Sequence, residues 1–143
     1  MINSISLYVD EYSGSSTLLK DGVTFKDVYV IKILIDGYEL DREEEFEDSL
    51  IYFEELKRSS LCDGKYLIFT CACGIADDGG WEGVSVKSEG DVVKWFLDVG
   101  DECKKFSFLK EEYCREIDSL KVFFESNKDL TLEPSVVVFP DKL

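Results

Sequence analysis

The residues best suited to chemistry in this chain are two cysteines, Cys71 and Cys73, within the stretch CACGIADDGGWEGV (71–84). Side chains two residues apart in a strand point to the same side, so both thiolates could reach one zinc ion. A structural zinc site usually has four Cys or His ligands, but the chain has no histidine and no second closely spaced cysteine pair. Further ligands would have to come from single cysteines or nearby aspartates: Cys62, Cys103, Cys114, Asp77 and Asp78. We therefore predict no cofactor and keep a metal-dependent protein as an alternative.

A reactive thiol pair is a second chemical interpretation of the same two cysteines. Reactive cysteines lie near His, Lys or a helix N-terminus, which stabilise the thiolate, whereas the neighbours here are acidic: Asp77, Asp78 and Glu82. A structural interpretation accounts for more residues. The cysteines behave as small buried side chains, the glycines permit a tight turn, and Trp81 starts the next strand and packs in the core. We therefore predict a strand-turn-strand corner over 71–84.

Other catalytic constellations are absent from the sequence. Ser-His and Cys-His dyads are impossible without histidine, and neither G-x-x-x-x-G-K-[ST] nor G-x-G-x-x-G occurs. Carboxylates are abundant, but nothing singles out one pair for acid–base chemistry. We therefore predict that the protein is not an enzyme.

The charge balance indicates the class of partner. The chain has 31 acidic and 16 basic residues, a formal net charge of −15 and a pI near 4.3. Such a field repels nucleic acid and anionic membranes. It attracts cationic proteins and speeds their association. The simplest alternative is that the charge only keeps the protein soluble.

The most acidic stretch covers residues 36–48, with eight acids and one base. Its pattern predicts a helix over 42–58 with Asp41 as N-cap and a core-facing stripe: Phe46, Ser49, Leu50, Phe53 and Leu56. On that helix Ile51 lies opposite the stripe and Tyr52 on its flank, both among carboxylates. An apolar anchor with a charged rim is typical of a protein interface. The predicted partner-binding face is therefore Glu44, Glu47, Asp48, Ile51, Tyr52 and Glu55. The alternative is that another layer, or the loop over 10–21, covers Ile51.

A second acidic cluster surrounds Trp81. It consists of Asp77, Asp78 and Glu82, and we add these three acids to the candidate partner-binding residues. An exposed tryptophan is a frequent binding hot spot, although a tryptophan that opens a strand also packs readily into the core.

The elements that position these residues form one domain, since 143 residues suit a single core. A second helix is predicted over 109–126, with Asn127 as a left-handed stop and one apolar face: Tyr113, Ile117, Leu120 and Phe124. A hairpin turn is predicted at Gly90. Alternating and β-branched runs predict strands at 2–9, 23–36, 65–73, 82–88, 91–99 and 135–139, with 104–109 as a further candidate. The order ββ-α-βββ-α-β predicts an α+β fold with a mainly antiparallel sheet and two principal helices.

The N-terminus and the cysteine count suggest a compartment. MINSISLYVD has no basic region followed by an apolar segment, so no signal peptide is predicted. No apolar run approaches the roughly 18 residues needed to span a bilayer. Five cysteines, an odd number, fit reduced thiols. We expect a cytoplasmic protein.

In character, this small, strongly acidic α+β chain without a catalytic motif resembles the immunity proteins of bacterial contact-dependent growth inhibition and polymorphic toxin systems. Over residues 68–97 it is also similar to small bacterial proteins with C-x-C-G, a Gly-rich turn and a tryptophan-bearing strand; there a third cysteine often stands where this chain has Asp78. The immunity resemblance implies a protein that binds a basic toxin domain, often a nuclease, and covers its active or substrate-binding surface. The alternatives are a metal- or thiol-dependent protein using Cys71 and Cys73, or an acidic adaptor or nucleic-acid mimic.

Overall fold

The computed structural model describes residues 2–20, 22–39, 49–71, 83–99 and 102–134. These residues form twelve strands and two helices, and the predicted α+β class with mainly antiparallel strands is confirmed. In chain order the elements are β1 (Ile5–Tyr12), β2 (Leu18–Lys20), β3 (Val23–Phe25), β4 (Val28–Ile35), β5 (Tyr38–Glu39), β6 (Ser49–Ile51), α1 (Phe53–Ser59), β7 (Gly64–Tyr66), β8 (Phe69–Cys71), β9 (Val84–Glu89), β10 (Val92–Val99), β11 (Glu102–Leu109), α2 (Lys110–Ser126) and β12 (Thr131–Leu132).

The first sheet is built around β4. This strand pairs with β1 on one side and with β12 and β5 on the other. Alternate residues of β4 enter the main core: Ile31, Ile33 and Ile35. On the opposite face, Val28 and Val30 pack with Leu50 and with side chains of the β2–β3 hairpin. The run VYVIKILI, which contains the half-buried Lys32, is therefore covered on both faces, as its apolar residues on both alternating sets predicted.

The N-terminal residues connect this sheet to the second one. The Asn3 backbone N–H donates to the Ser107 carbonyl oxygen at 2.6 Å, and the Ser107 N–H donates to Asn3 Oδ1 at 3.0 Å. The Asn3 amide also donates to Asp36 at 2.6 Å. Asp36 and Gly37 both have positive φ, 53° and 86°, which matches the Asp-Gly turn of a two-residue hairpin between β4 and β5.

The second sheet has the strand order β11-β10-β9-β7, and one of its faces is buried. Trp95 lies at the centre of that face, fully buried and edge-on to Phe69, Phe108 and Tyr113. Its indole N–H donates to the Tyr113 hydroxyl at 3.2 Å, and that hydroxyl lies 2.5 Å from Ser59 Oγ. Burial raises the pKa of Tyr113 to about 12, so the phenol stays protonated and completes a paired polar network inside the core.

Helix α2 covers the edge of β1. Two of its glutamates accept backbone N–H groups of that strand: Glu112 from Ile5 at 2.8 Å and Glu116 from Leu7 at 2.9 Å. An edge strand with unpaired N–H groups is a site for unwanted strand pairing. The polar side of the helix therefore caps the sheet edge while Tyr113, Ile117 and Leu120 fill the core.

Several predicted elements differ from the observed ones. The predicted helix over 42–58 is wrong over 49–52, because Ser49–Ile51 is strand β6 and α1 begins at Phe53; residues 42–48 lie outside the described residues. The predicted strand over 65–73 is two short strands, β7 and β8, within the described part. Asn127 is extended, with φ −126°, and its side-chain amide donates to the Phe123 carbonyl instead of forming a left-handed stop. The predicted strand over 135–139 lies outside the described residues, and the short strands β5 and β12 were not predicted.

Candidate partner-binding site

The candidate site is located at one end of the β6–β8 ribbon. The two strands are antiparallel, with Ser49 opposite Cys71, Leu50 opposite Thr70, and Ile51 opposite Phe69. The Tyr52 N–H continues the pairing by donating to the Ile68 carbonyl oxygen at 2.8 Å. Ser49 and Cys71 are thus the last described pair at their end of the ribbon.

This pair joins the two acidic stretches of the chain. Asp48 directly precedes Ser49, and the stretch 72–82 directly follows Cys71. Opposed Cα atoms in an antiparallel pair lie about 4.5–5.5 Å apart, and one peptide adds about 3.8 Å. The two stretches therefore meet the described core within about 13 Å of each other, as covalent geometry requires. The sequence alone does not reveal this proximity, since the two attachment points, Ser49 and Cys71, are 22 positions apart in the chain.

Two lysines lie at the same ribbon. Lys20 is buried, with 6% of its surface exposed, and Lys32 is half-buried. Together with Ser49 they line a small gap of about 20 Å³ between β4 and β6, and all three residues have interaction partners in the structure. A buried ammonium group requires compensating polar or charged partners. Two lysines therefore line the same gap as Ser49, the residue at which the acidic stretch 36–48 joins β6.

The predicted partner-binding residues fall into two groups. Six of them lie outside the described residues: Glu44, Glu47, Asp48, Asp77, Asp78 and Glu82. The other three are described, and two of them, Ile51 and Glu55, are buried where the helical projection predicted exposure. Ile51 is 6% exposed and belongs to the main core, and Tyr52 is half-buried at the start of α1. A strand covered on both faces buries consecutive residues, so Ile51 does not lie opposite the core.

Glu55, the third, is a structural carboxylate. It is 4% exposed. Its Oε1 accepts the Leu67 N–H at 3.2 Å, and its Oε2 accepts Arg58 Nη1 at 3.1 Å. These bonds fasten α1 to the segment between β7 and β8. The outward-facing acid of this helix is its neighbour Glu54, which pairs with Lys57 at 2.9 Å.

Two acids of the stretch 36–48 are described, and both are bound internally. Asp36 accepts the Asn3 amide and, at 2.8 Å, the Ser4 N–H, and the bond from Asn3 is the main reason that its pKa lies below its usual value. Glu39 accepts the Tyr8 hydroxyl. The beginning of this stretch therefore serves the fold, which leaves the acids over 41–48 as its candidates for binding.

The cysteines show no assembled chemical site in the described part of the chain. There, no group of three or more His, Cys, Asp or Glu side chains is arranged to hold a metal ion. Cys62, Cys103 and Cys114 are free thiols. The Cys62 sulfur lies 3.2 Å from the Tyr66 hydroxyl, which donates to the Cys62 carbonyl at 2.7 Å. Cys73 lies outside the described residues, so the metal alternative remains a prediction.

Sequence reasoning missed one charged surface. The outer face of the second sheet carries four lysines, Lys65, Lys87, Lys94 and Lys105, around the half-buried Phe96. We call these five residues the basic sheet face. Alternation of lysine with buried apolar residues in VSVKSE and VVKW was the available signal, but the clustering depends on the register of four strands.

Neither described helix has the length and apolar character required to span a membrane. No family model, no curated protein and no solved structure matches the chain.

Proposed function

We propose that this protein is an immunity-type inhibitor that binds a cationic bacterial toxin domain, such as a nuclease, and covers its active or substrate-binding surface. The observation that carries the proposal is the pairing of Ser49 with Cys71. Through this pair the acidic stretches 36–48 and 72–82 join the described structure at the same end of the β6–β8 ribbon.

The charge distribution supports a docking role over hydration alone. The segment 41–48 has six acids and one base, and 72–82 has three acids and no base. By contrast, α1 mixes signs at helical spacing, with Glu54 paired to Lys57, as is usual for a solvated helix. Single-signed segments attached at one place produce a local negative field that steers a basic partner, raising association rates by about 10–10³-fold at low salt.

The mechanism of inhibition is occupation of the toxin's cationic surface. A domain that acts on nucleic acid uses Lys and Arg to bind phosphates. Carboxylates form charge-assisted hydrogen bonds to the same side chains, so an acidic surface competes directly with the substrate. Inhibition by this route needs no catalytic group on the inhibitor, in agreement with the absence of catalytic motifs in the sequence.

The test uses the basic C-terminal toxin domain encoded next to this chain, if the neighbouring reading frame provides one, in growth-protection and binding assays. Glu44→Lys with Glu47→Lys is expected to slow association by about tenfold or more at low salt and to flatten the salt dependence. The matched control is Asp118→Lys with Glu125→Lys, which makes the same charge change at exposed positions of α2. The control is expected to change the association rate constant by less than about threefold. At physiological salt, charges farther from the interface than the Debye length of about 8 Å are largely screened.

Two results would reject the proposal. Equal effects of the two pairs would mean that only the total charge matters. Failure of the wild-type protein to bind and neutralise the toxin domain would show that it is not an immunity-type inhibitor of that toxin. If stoichiometric zinc copurifies and is lost in Cys71→Ser with Cys73→Ser, the metal-dependent alternative takes its place.

A further inference from the structure

The basic sheet face is the solvent side of the second sheet. Residues of β9 alternate between buried and exposed, with Val84 and Val86 inside and Ser85 and Lys87 outside. In β10 the buried Val93, Trp95 and Leu97 alternate with less buried outward-facing residues, among them Lys94 and Phe96. This face is therefore open in the described structure and independent of the β6–β8 ribbon.

The basic sheet face is positively charged, whereas the whole molecule has a negative net charge. The face has four of the chain's sixteen basic residues, and Glu89 is the acid among its described side chains. Lys87 and Lys94 are direct cross-strand neighbours, an arrangement of like charges that destabilises a sheet. Such a local concentration in a chain of net charge −15 calls for a counter-charge.

Glu89 shows how the face accommodates a carboxylate. Its Oε2 lies 2.8 Å from Lys94 Nζ and its Oε1 lies 3.6 Å from Lys87 Nζ. The bond from Lys94 is the main reason that the pKa of Glu89 lies below its usual value. One carboxylate thus bridges two ammonium groups on adjacent strands.

The next row of the face has two further lysines, for which the described side chains provide no ion-pair partner. In register across the four strands lie Lys65, Ser85, Phe96 and Lys105. Within the described residues, no carboxylate lies within ion-pair distance of Lys65 or Lys105. The Lys105 ammonium lies 6.0 Å from the centre of the Phe96 ring. With about 4.8 Å between strands, the two lysine backbones are about 14 Å apart.

We propose that the basic sheet face binds an extended acidic segment of a partner protein, with carboxylates at Lys65 and Lys105 and an apolar side chain over Phe96. Val92 and the 46%-exposed Leu109 add apolar surface two rows away, beyond Lys87 and Lys94. The match is one of charge and shape. Cations at both ends of a row, separated by an aromatic ring, fit a segment in which acids flank an apolar residue. This inference does not depend on the proposed function, which concerns the opposite charge.

Nucleic acid fits this face less well. Proteins that bind single strands on a sheet stack successive bases on several aromatic rings, whereas this face presents Phe96 as its aromatic residue among the described side chains. A long polyanion would also meet the field of a molecule with net charge −15. A short acidic segment places its few charges directly on the lysines.

The experiment measures binding of a fluorescent peptide in which glutamates flank one phenylalanine. We expect wild-type protein to bind it, with amide chemical-shift changes confined to β7, β9, β10 and β11. Lys65→Glu with Lys105→Glu is expected to weaken binding by about tenfold or more, since each lost charge-assisted contact is worth a severalfold change. Lys65→Met with Lys105→Met removes the charges without reversal and should weaken binding at least about threefold. Lys26→Glu with Lys128→Glu, at exposed positions elsewhere, should change it by less than about twofold at physiological salt.

Other outcomes overturn the proposal. Failure of the peptide to bind, or equal loss in the control pair, would show that the face is not a docking surface for acidic segments. Tighter binding of a single-stranded polyuridine, lost in the same variants, would reassign the face to nucleic acid. Sedimentation that shows a dimer, dissociated by Lys65→Glu with Lys105→Glu, would make the occupant a second copy of this chain.

Discussion

The end of the β6–β8 ribbon and the basic sheet face organise charge in different ways. In the ribbon every residue over 49–51 is buried, and the acids lie in the stretches attached to its end. In the second sheet one face is buried and the other is open, so lysines alternate with core residues inside the strands themselves. Surface charge in this protein therefore depends on how many faces of a strand are covered. In the doubly covered segment 49–51 the charged residues lie outside the strand, whereas the singly covered strands β9 and β10 have lysines at outward-facing positions.

The largest expected effect tests the burial of Ile51. Ile51→Asp should lower the free energy of unfolding by about 4 kcal/mol or more, because it removes a packed side chain and buries a carboxyl group without a prepared partner. Urea unfolding measures the change. Val122→Asp, at a position 62% exposed on α2, should cost less than about 1 kcal/mol. Near-wild-type stability of Ile51→Asp would mean that Ile51 is a surface anchor after all.

The second prediction tests the structural role of Glu55. Glu55→Ala should cost about 2–3 kcal/mol, because the buried Leu67 N–H loses its acceptor and Arg58 its partner. Glu55→Gln keeps an oxygen for Leu67 and should recover part of the loss. Glu54→Ala, at the exposed neighbour, should cost less than about 1 kcal/mol. Equal losses of unfolding free energy in Glu54→Ala and Glu55→Ala would contradict the structural role of Glu55.

The third prediction concerns Phe96, the half-buried ring of the basic sheet face. Phe96→Ala should cost about 1 kcal/mol in urea unfolding, since only part of the ring leaves an apolar environment, and should weaken binding of the acidic peptide severalfold. Ser85→Ala, next to it in register, should leave both stability and binding nearly unchanged. A stability cost as large as that of Ile51→Asp would place Phe96 in the core.

The smallest effect is the pH dependence of Glu89. Its pKa in the folded protein lies below the usual value near 4.5. Its pairing with Lys94 and Lys87 therefore contributes stability above that value, and the contribution is lost as the pH falls through the lowered pKa. A carboxyl-detected NMR titration should place the Glu89 midpoint below 4.5 in the wild type. Lys94→Met should raise it; an unchanged midpoint would show that Lys94 is not the cause.

Local sequence patterns correctly predicted the helices and strands that are stabilised mainly by contacts within the element or with its neighbour in the chain. Helix α2 was expected over 109–126 and runs from Lys110 to Ser126, because Tyr113, Ile117 and Leu120 form one face at helical spacing. The β9–β10 hairpin was expected at Gly90, whose φ is 60°, since glycine adopts that conformation readily. A central strand was expected over 23–36 from apolar residues on both alternating sets; β4 confirms it over 28–35, and the structure makes residues 23–25 a separate strand, β3.

Prediction failed where a distant segment decided the conformation. The glutamates over 43–47 favour a helix, and that preference was extended through Ser49–Ile51. Strand β8, about twenty residues away in sequence, pairs with this segment and makes it a strand instead. Helix propensity is a weak preference that tertiary context overrides. The error moved Ile51 and Glu55 from the interior to the predicted binding surface.

The amino-acid sequence by itself determined the net charge, the position of the acidic stretches and the α+β class, since composition and periodicity are local properties of the chain. The tertiary structure decided that Ser49 pairs with Cys71, that Ile51 and Glu55 are internal, and that Lys65, Lys87, Lys94 and Lys105 share one face. The first two facts depend on pairing between segments far apart in sequence, and the third depends on the combined register of four strands. Turn geometry fixes the register of a hairpin, whereas the pairing of distant strands is selected when their apolar faces pack in the core.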